Sequence, residues 1–224
     1  MTPLRWKLLP AVLLALLYLP FGWSHVQAGS SHAAHQERDD TAAEPADVLL
    51  STLRSDPNRY LGEPVRFVLQ FQGEIDAWNP GLGRFGPGDW VHLAGWSDDR
   101  FPWDPEVWEH PVSHVFCRRG SPIASLMAEA RPLERFRITG VVREVFFDDP
   151  WIECTSIEPL FEMIGEGTLL HVERAIEFAR QEKWELARQQ YERALAAPLP
   201  DAARAELEER METCRKLRDG AEAR

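Results

Sequence analysis

The chain has 224 residues and carries 36 Asp and Glu against 25 Lys and Arg, a formal net charge of −11. That balance repels phosphate backbones and anionic lipid head groups at long range, which argues against nucleic-acid and membrane-surface partners. The sequence holds no nucleophile elbow, phosphate-binding glycine loop, HExxH helix or CxxC pair, so no enzyme and no cofactor is expected.

At the N-terminus, Arg5 and Lys7 precede an uncharged run from Leu8 to Trp23, and Val26-Gln27-Ala28 sets small residues where a leader is cut. This is the three-part pattern of a secretory signal over residues 1–28, so the protein is expected to be exported, periplasmic or secreted. The run is shorter than the ~20 apolar residues of a membrane helix and contains Pro10 and Pro20. The alternative is an uncleaved N-terminal helix, the one route by which a membrane would enter; a lipid-modified cysteine is excluded because none lies near the cut. Cleavage would leave 23 basic against 36 acidic residues, a net charge of −13. Residues 29–46 show no apolar period and read as a solvated linker. His32 and His35 lie on it, and two histidines on a tether do not complete a metal site.

Residues 47–160 have a different grammar. Val48, Leu49, Leu50 and Leu53 form a short helical face ended by Ser55-Asp56-Pro57. After the Gly62-Glu63-Pro64 turn, the alternation of Val65, Phe67, Leu69 and Phe71 predicts a long strand to Ile75. A glycine- and proline-rich loop at 79–88 leads to a second strand over Asp89–Trp96. Period two there puts Trp90, His92, Ala94 and Trp96 on one face and Val91 and Leu93 on the other. A Trp- and Pro-rich excursion from Ser97 to Pro111 precedes a third strand near His114–Arg118, and Ile123–Ala130 reads as a helix. The last two strands run from Arg135 to Phe147 and from Trp151 to Leu160, around an acidic turn at Asp148-Asp149-Pro150. Gly140 sits inside the first of them, where a barrel strand must bend.

Five strands with a helix between the third and fourth resemble an OB-fold, a small Greek-key barrel. The segment Ile138-Thr-Gly-Val-Val through Trp151-Ile-Glu-Cys is similar to the last two strands of OB domains of the tRNA-anticodon-binding-like type. The expected class is α+β: a five-stranded Greek-key barrel, then a C-terminal helical hairpin plus one helix. The resemblance implies an outer face that stacks bases, sugars or peptide side chains, with Trp90, His92 and Trp96 as candidate ligand-binding residues. The alternative is that the excursion or the C-terminal helices cover these tryptophans. Nucleic acid fits poorly, because residues 60–160 carry nine Arg, no Lys and sixteen Asp and Glu.

Other candidates read as structure. Asp98, Asp99, Asp104, Glu106 and Glu109 lack calcium-loop spacing, and His110, His114 and Cys117 fall on no common face. No metal is expected. Cys117 and Cys154, on two barrel strands, could be bridged or could be small buried residues; Cys214 lies on a helix and is expected to be free.

From residue 161 the period becomes helical: Thr168–Glu182, Trp184–Ala196, a break at Pro198-Leu-Pro200, and a third helix from Asp201 to about Leu217. Ala175 and Phe178, then Ala187, Tyr191 and Ala194, resemble the small and aromatic positions of one tetratricopeptide repeat. Arg174 departs from that pattern, and Leu199 stands at the repeat's proline position. A single repeat does not bury its own apolar face, because such arrays need several units. The hairpin is therefore expected to pack on the barrel, on a protein partner or on a second copy, with Phe178, Trp184 and Tyr191 as candidate interaction residues. The functional expectation is an exported, non-enzymatic binding or scaffolding protein that acts through protein–protein contacts. A barrel binding a small polar ligand (glycan or peptide) on its aromatic face is the alternative, and single-stranded nucleic acid a weaker one.

Overall fold

The computed structural model describes residues 44–75 and 84–222; the expected signal segment and most of the linker lie outside them. Six strands form one sheet: β1 (Ala46–Asp47), β2 (Pro64–Ile75), β3 (Trp90–Ser97), β4 (Val112–Arg118), β5 (Arg135–Phe146) and β6 (Asp149–Leu160). The order β1-β2-β3-β4-β6-β5 closes on itself through an antiparallel β2–β5 pairing. Only β1–β2 and β4–β6 run parallel. Leaving out the two-residue β1, this is a closed five-stranded mixed barrel. Helix α1 (Leu50–Ser55) precedes β2, and α2 (Pro105–Glu109) lies between β3 and β4. The crossover from β4 to β5 carries α3 (Pro122–Glu129). Strand order and helix placement fit an OB-fold.

The alternation read in β2 fills the barrel: Val65, Phe67, Leu69 and Phe71 are buried in its core. Val91 and Leu93, Val115 and Cys117, Phe136, Ile138 and Val142, and Ile152 and Cys154 complete the lining. Leu50 and Leu53 of α1 and Met127 of α3 pack into it. Ser121 caps α3 by accepting the Ala124 N–H at 3.1 Å, with Pro122 at the first helical position. Cys117 and Cys154 are unbridged and buried. Burial pushes the Cys117 thiol up to about 11 and raises that of Cys154 as well, so both stay protonated and unreactive.

Two register shifts need glycine. Between Leu93 and Gly95 the β3–β4 ladder slips, and a Cβ on Gly95 would run into the Gln70 carbonyl and the Leu69 side chain. Between Thr139 and Gly140 the β5–β6 ladder slips too. Gly140 is thus both a bend, as its place in the sequence suggests, and a point of close approach to β6.

The C-terminal helices are α4 (Glu166–Arg180), α5 (Trp184–Leu195) and α6 (Asp201–Glu222). No described helix is long and apolar enough to cross a membrane. Their core is a second apolar cluster in which Leu169, Val172, Ala175, Ala187, Tyr191, Ala194, Leu207 and Cys214 meet Trp96, Trp103 and Leu133 from the barrel side. The buried Gln70 amide donates to the Ile164 carbonyl at 2.9 Å, a second tie between barrel and helices. The face that a lone hairpin leaves open is therefore covered within the chain, by α6 and by the barrel. Glu185 of α5 accepts hydrogen bonds from Arg188, Gln189 and Arg218 of α6, which hold its carboxyl at about 2.

Candidate functional site

The outer face of β3, β4 and β6 gathers aromatic rings. Inward Val91, Leu93, Val115, Cys117 and Ile152 leave Trp90, His92, His114, Phe116 and Trp151 pointing outward. These come from strands far apart in sequence, joined by the antiparallel β3–β4 pairing and the parallel β4–β6 pairing. Trp90 meets Phe116 edge-on at 5.2 Å, His92 meets Trp151 edge-on at 5.8 Å, and His114 lies 4.9 Å from Trp151. Arg118 places its guanidinium 5.1 Å over the Trp90 ring.

A residue from outside the sheet completes the cluster. Phe85, in the β2–β3 connection, stacks on Phe116 at 4.2 Å and on Trp151 at 6.0 Å, with Trp90 edge-on at 5.5 Å. Its main chain is held as well: the Phe85 carbonyl accepts from His92 Nε2 at 2.7 Å, which fixes the imidazole tautomer. Arg119 fastens the next residues, donating to the Pro87 carbonyl at 2.9 Å. Beneath this cover Phe116 is 0 % exposed although it points away from the barrel interior. The indole N–H of Trp151 is buried without an acceptor among the described residues.

At the edge of the cluster His114 lies 3.8 Å from Asp149, whose carboxylate accepts from Arg54 of α1 at 2.9 Å. Burial lowers the His114 pKa, Asp149 opposes that shift, and Arg54 and His92 add to it. The unfolded chain therefore binds the proton first. His114's contribution to stability is complete above the unfolded value of 6.5 and is lost as pH falls through the lower folded value. Thermal melts should show Tm dropping between about pH 7 and pH 5, with a shallower drop in His114→Gln. Equal slopes for the two proteins would contradict this.

The expected ligand face is split. Trp90 and His92 belong to the cluster, but Trp96 is 2 % exposed and lies in the second core. The slip at Gly95 and the excursion cause this. Val107 accepts the Trp96 indole N–H at 2.9 Å, and Trp108 stacks on Trp96 at 4.9 Å. The excursion contains α2, whose start is capped by Asp104 with Pro105 behind it. On the helices, Tyr191 is buried and Phe178 and Trp184 are half-buried against the same core, so these three form the hairpin's packing. Phe85, His114, Phe116 and Trp151 join the face without standing out in the sequence as ligand residues. The alternation of His114 and Phe116 along β4 is the one local signal that points to them.

The acidic and histidine-rich stretches are occupied. Asp98 takes two 2.7 Å bonds from Arg135, Asp99 accepts from Ser51 and Ser97, and Asp104 caps α2. His110 bonds to the Glu106 carbonyl, His114 faces Trp151, and Cys117 lies in the barrel core. Among the described residues no group of three side chains is placed to hold a metal ion.

No protein-family model matches the chain, and no curated protein matches it in sequence. Among solved structures it is similar to that of "a putative aspartyl-tRNA synthetase from Leishmania major Friedlin", at 9% identity and a TM-score of 0.37. The similarity covers 71% of this chain and 34% of that one, so the chain spans about a third of that protein's length. A likeness this weak carries no functional argument, and the fold rests on strand order, pairing and helix placement.

Proposed function

We propose that this is an exported, non-enzymatic binding protein that acts through protein–protein contacts, with the outer face of β3, β4 and β6 as its receptor surface. The supporting observation is Phe85: one residue of the chain itself is held there by both its ring and its carbonyl. A slot that takes a phenyl ring between Trp90, Phe116 and Trp151, and a peptide carbonyl on His92 Nε2, has the groups that recognise an aromatic residue within a peptide. A partner's aromatic side chain would enter by exchange with Phe85, at an affinity reduced by the fraction of time Phe85 occupies the slot. Residues 60–160 carry sixteen acidic against nine basic side chains, which disfavours a phosphate-bearing ligand. The α4–α5 hairpin adds nothing to this reading, because its apolar face is covered by α6 and by the barrel.

Export rests on the residue 1–28 pattern. N-terminal sequencing of exported protein should return Gly29, and Met1 or Thr2 would contradict cleavage. Capture from the exported fraction with the mature chain as bait should recover a protein that is lost with Trp90→Ala and with His92→Ala. Recovery unchanged by both substitutions, or recovery of a glycan instead, would move function off this reading.

A further inference from the structure

The residues that fill the Phe85 slot also show what a replacement for them must carry. Arg84, directly before Phe85, forms an ion pair with Glu144 of β5. Glu144 stands across the β5–β6 ladder from Trp151, so its carboxylate borders a ring on which Phe85 stacks. No other described residue pairs with Glu144, whereas Glu153 is taken by Arg143 at 2.6 Å and Asp149 by Arg54 at 2.9 Å. The opposite border is basic. Arg118 lies over Trp90, and Arg119 donates to the carbonyls of Pro87 and Trp90; neither has a carboxylate partner among the described residues. Residues 84 to 87 thus cross the face from β5 to the β3–β4 edge, with an acidic border before the phenyl ring and a basic border after it.

We infer, on the reading of this face as a receptor surface, that the slot selects a basic residue followed directly by an aromatic one in the partner's chain. On exchange, Arg84 leaves Glu144 together with Phe85. A carboxylate, an aromatic slot and the His92 Nε2–H are then vacated together, in the spacing of a dipeptide. A partner's arginine or lysine would take Glu144, its phenyl ring the place of Phe85, and the carbonyl of its aromatic residue the His92 N–H. An apolar residue before the aromatic would leave Glu144 unpaired, and an acidic one would be repelled by it. A basic residue after the aromatic would meet Arg118 and Arg119 instead. The sixteen acidic against nine basic side chains of residues 60–160 attract any basic segment alike, so it is the order of the two residues that separates this site from general attraction.

The test is titration of the full-length protein carrying Arg84→Ala and Phe85→Ala with four N-acetyl dipeptide amides, followed at the Trp90 and Trp151 indole resonances. The four are arginyl-phenylalanine, alanyl-phenylalanine, glutamyl-phenylalanine and the reversed phenylalanyl-arginine. The first is expected to bind about threefold more tightly than the second and about tenfold more tightly than the third. The reversed dipeptide, although equally charged, should bind no better than alanyl-phenylalanine. Glu144→Gln should abolish the difference between the arginyl and alanyl peptides. The same order at lower affinity is expected in the native chain, where Arg84 and Phe85 must first be displaced, and that titration decides the matter if the double variant does not fold. Equal affinity for arginyl-phenylalanine and either its reversal or alanyl-phenylalanine, or an arginine preference that survives Glu144→Gln, would overturn this inference and leave the aromatic slot standing. No saturable shift with any of the four in either protein would overturn both.

Discussion

Valine in place of Gly140 should destabilise the barrel by roughly 3 kcal/mol or more, among the largest effects of any single substitution in this chain. Even a single added carbon would stand 2.6 Å from the Glu153 carbonyl oxygen and 3.0 Å from Ile152 Cγ2. The first of these is a backbone atom of the neighbouring strand and cannot rotate away. Relief would require opening β5 from β6 at the slip that lets the strand bend, and β5 is the strand whose pairing with β2 closes the barrel. Gly73 supplies the control, because a Cβ there meets nothing within 4 Å. Gly73→Ala should be close to neutral in thermal melts, while Gly140→Val should melt far below the parent or not fold. If the Gly140 variant melted within a degree or two of the parent, the close approach would be wrong.

The second large effect belongs to the joint between barrel and helices. Ala187 of α5 is fully buried in the cluster that α4, α5 and α6 share with the barrel-side tryptophans, and Tyr191 is buried one turn on. Ala187→Phe should overpack that contact at a cost of ~1–3 kcal/mol, and Tyr191→Ala should leave a cavity costing about 3–5 kcal/mol. Because Trp96, Trp103 and Leu133 belong to the same cluster, the loss should not stay within the helices. A chain ending at Leu160 uncovers those three side chains and leaves the Gln70 amide without the Ile164 carbonyl. It should melt well below the whole protein. A 47–160 fragment as stable as the full chain would show that the barrel gains nothing from the helices.

Local pattern carries much of the fold. The alternation from Val65 to Phe71, the inward Val91 and Leu93, the glycine within β5 and the helical period after residue 161 are all visible one segment at a time. Pairing between distant segments is not. Trp90 and Trp96 share a face by period two, yet the slip at Gly95 and the packing of α2 send Trp96 into a different core from Trp90. Trp151 and His114 become neighbours through the parallel β4–β6 ladder, which no local signal announces. Phe85 has the sequence context of a loop residue, because its role depends on His92 and Phe116, which only the folded sheet brings beneath it. An uncovered face follows from one repeat taken alone. It is α6 that closes it, whose Ala203, Leu207 and Cys214 supply the missing layer.

The β5–β6 turn holds residues in an unfavourable backbone conformation. Phe147 and Asp148 both take left-handed backbone angles, with φ of 49° and 61°, as a tight two-residue hairpin requires. An aromatic residue is costly in that conformation, and Phe147 is nonetheless 77 % exposed with its ring 4.5 Å from that of Phe146. Glycine or asparagine would suit the turn better, so Phe147→Asn should hold or raise Tm slightly in thermal melts.

The most direct measurement is titration of the Phe85→Ala protein with N-acetyl-phenylalaninamide, followed at the tryptophan indole resonances. That small molecule carries the two groups by which Phe85 is held, a phenyl ring and a peptide carbonyl. Saturable shifts at Trp90 and Trp151 are expected in Phe85→Ala, with an affinity at least about tenfold above that of the native protein, because the internal competitor is gone. N-acetyl-leucinamide should bind more weakly, and His92→Ala should reduce binding further by removing the carbonyl's donor. If the Phe85→Ala protein stays folded and gives no saturable shift, or if the native protein binds the compound equally well, the outer face is simply a second small core that Phe85 completes.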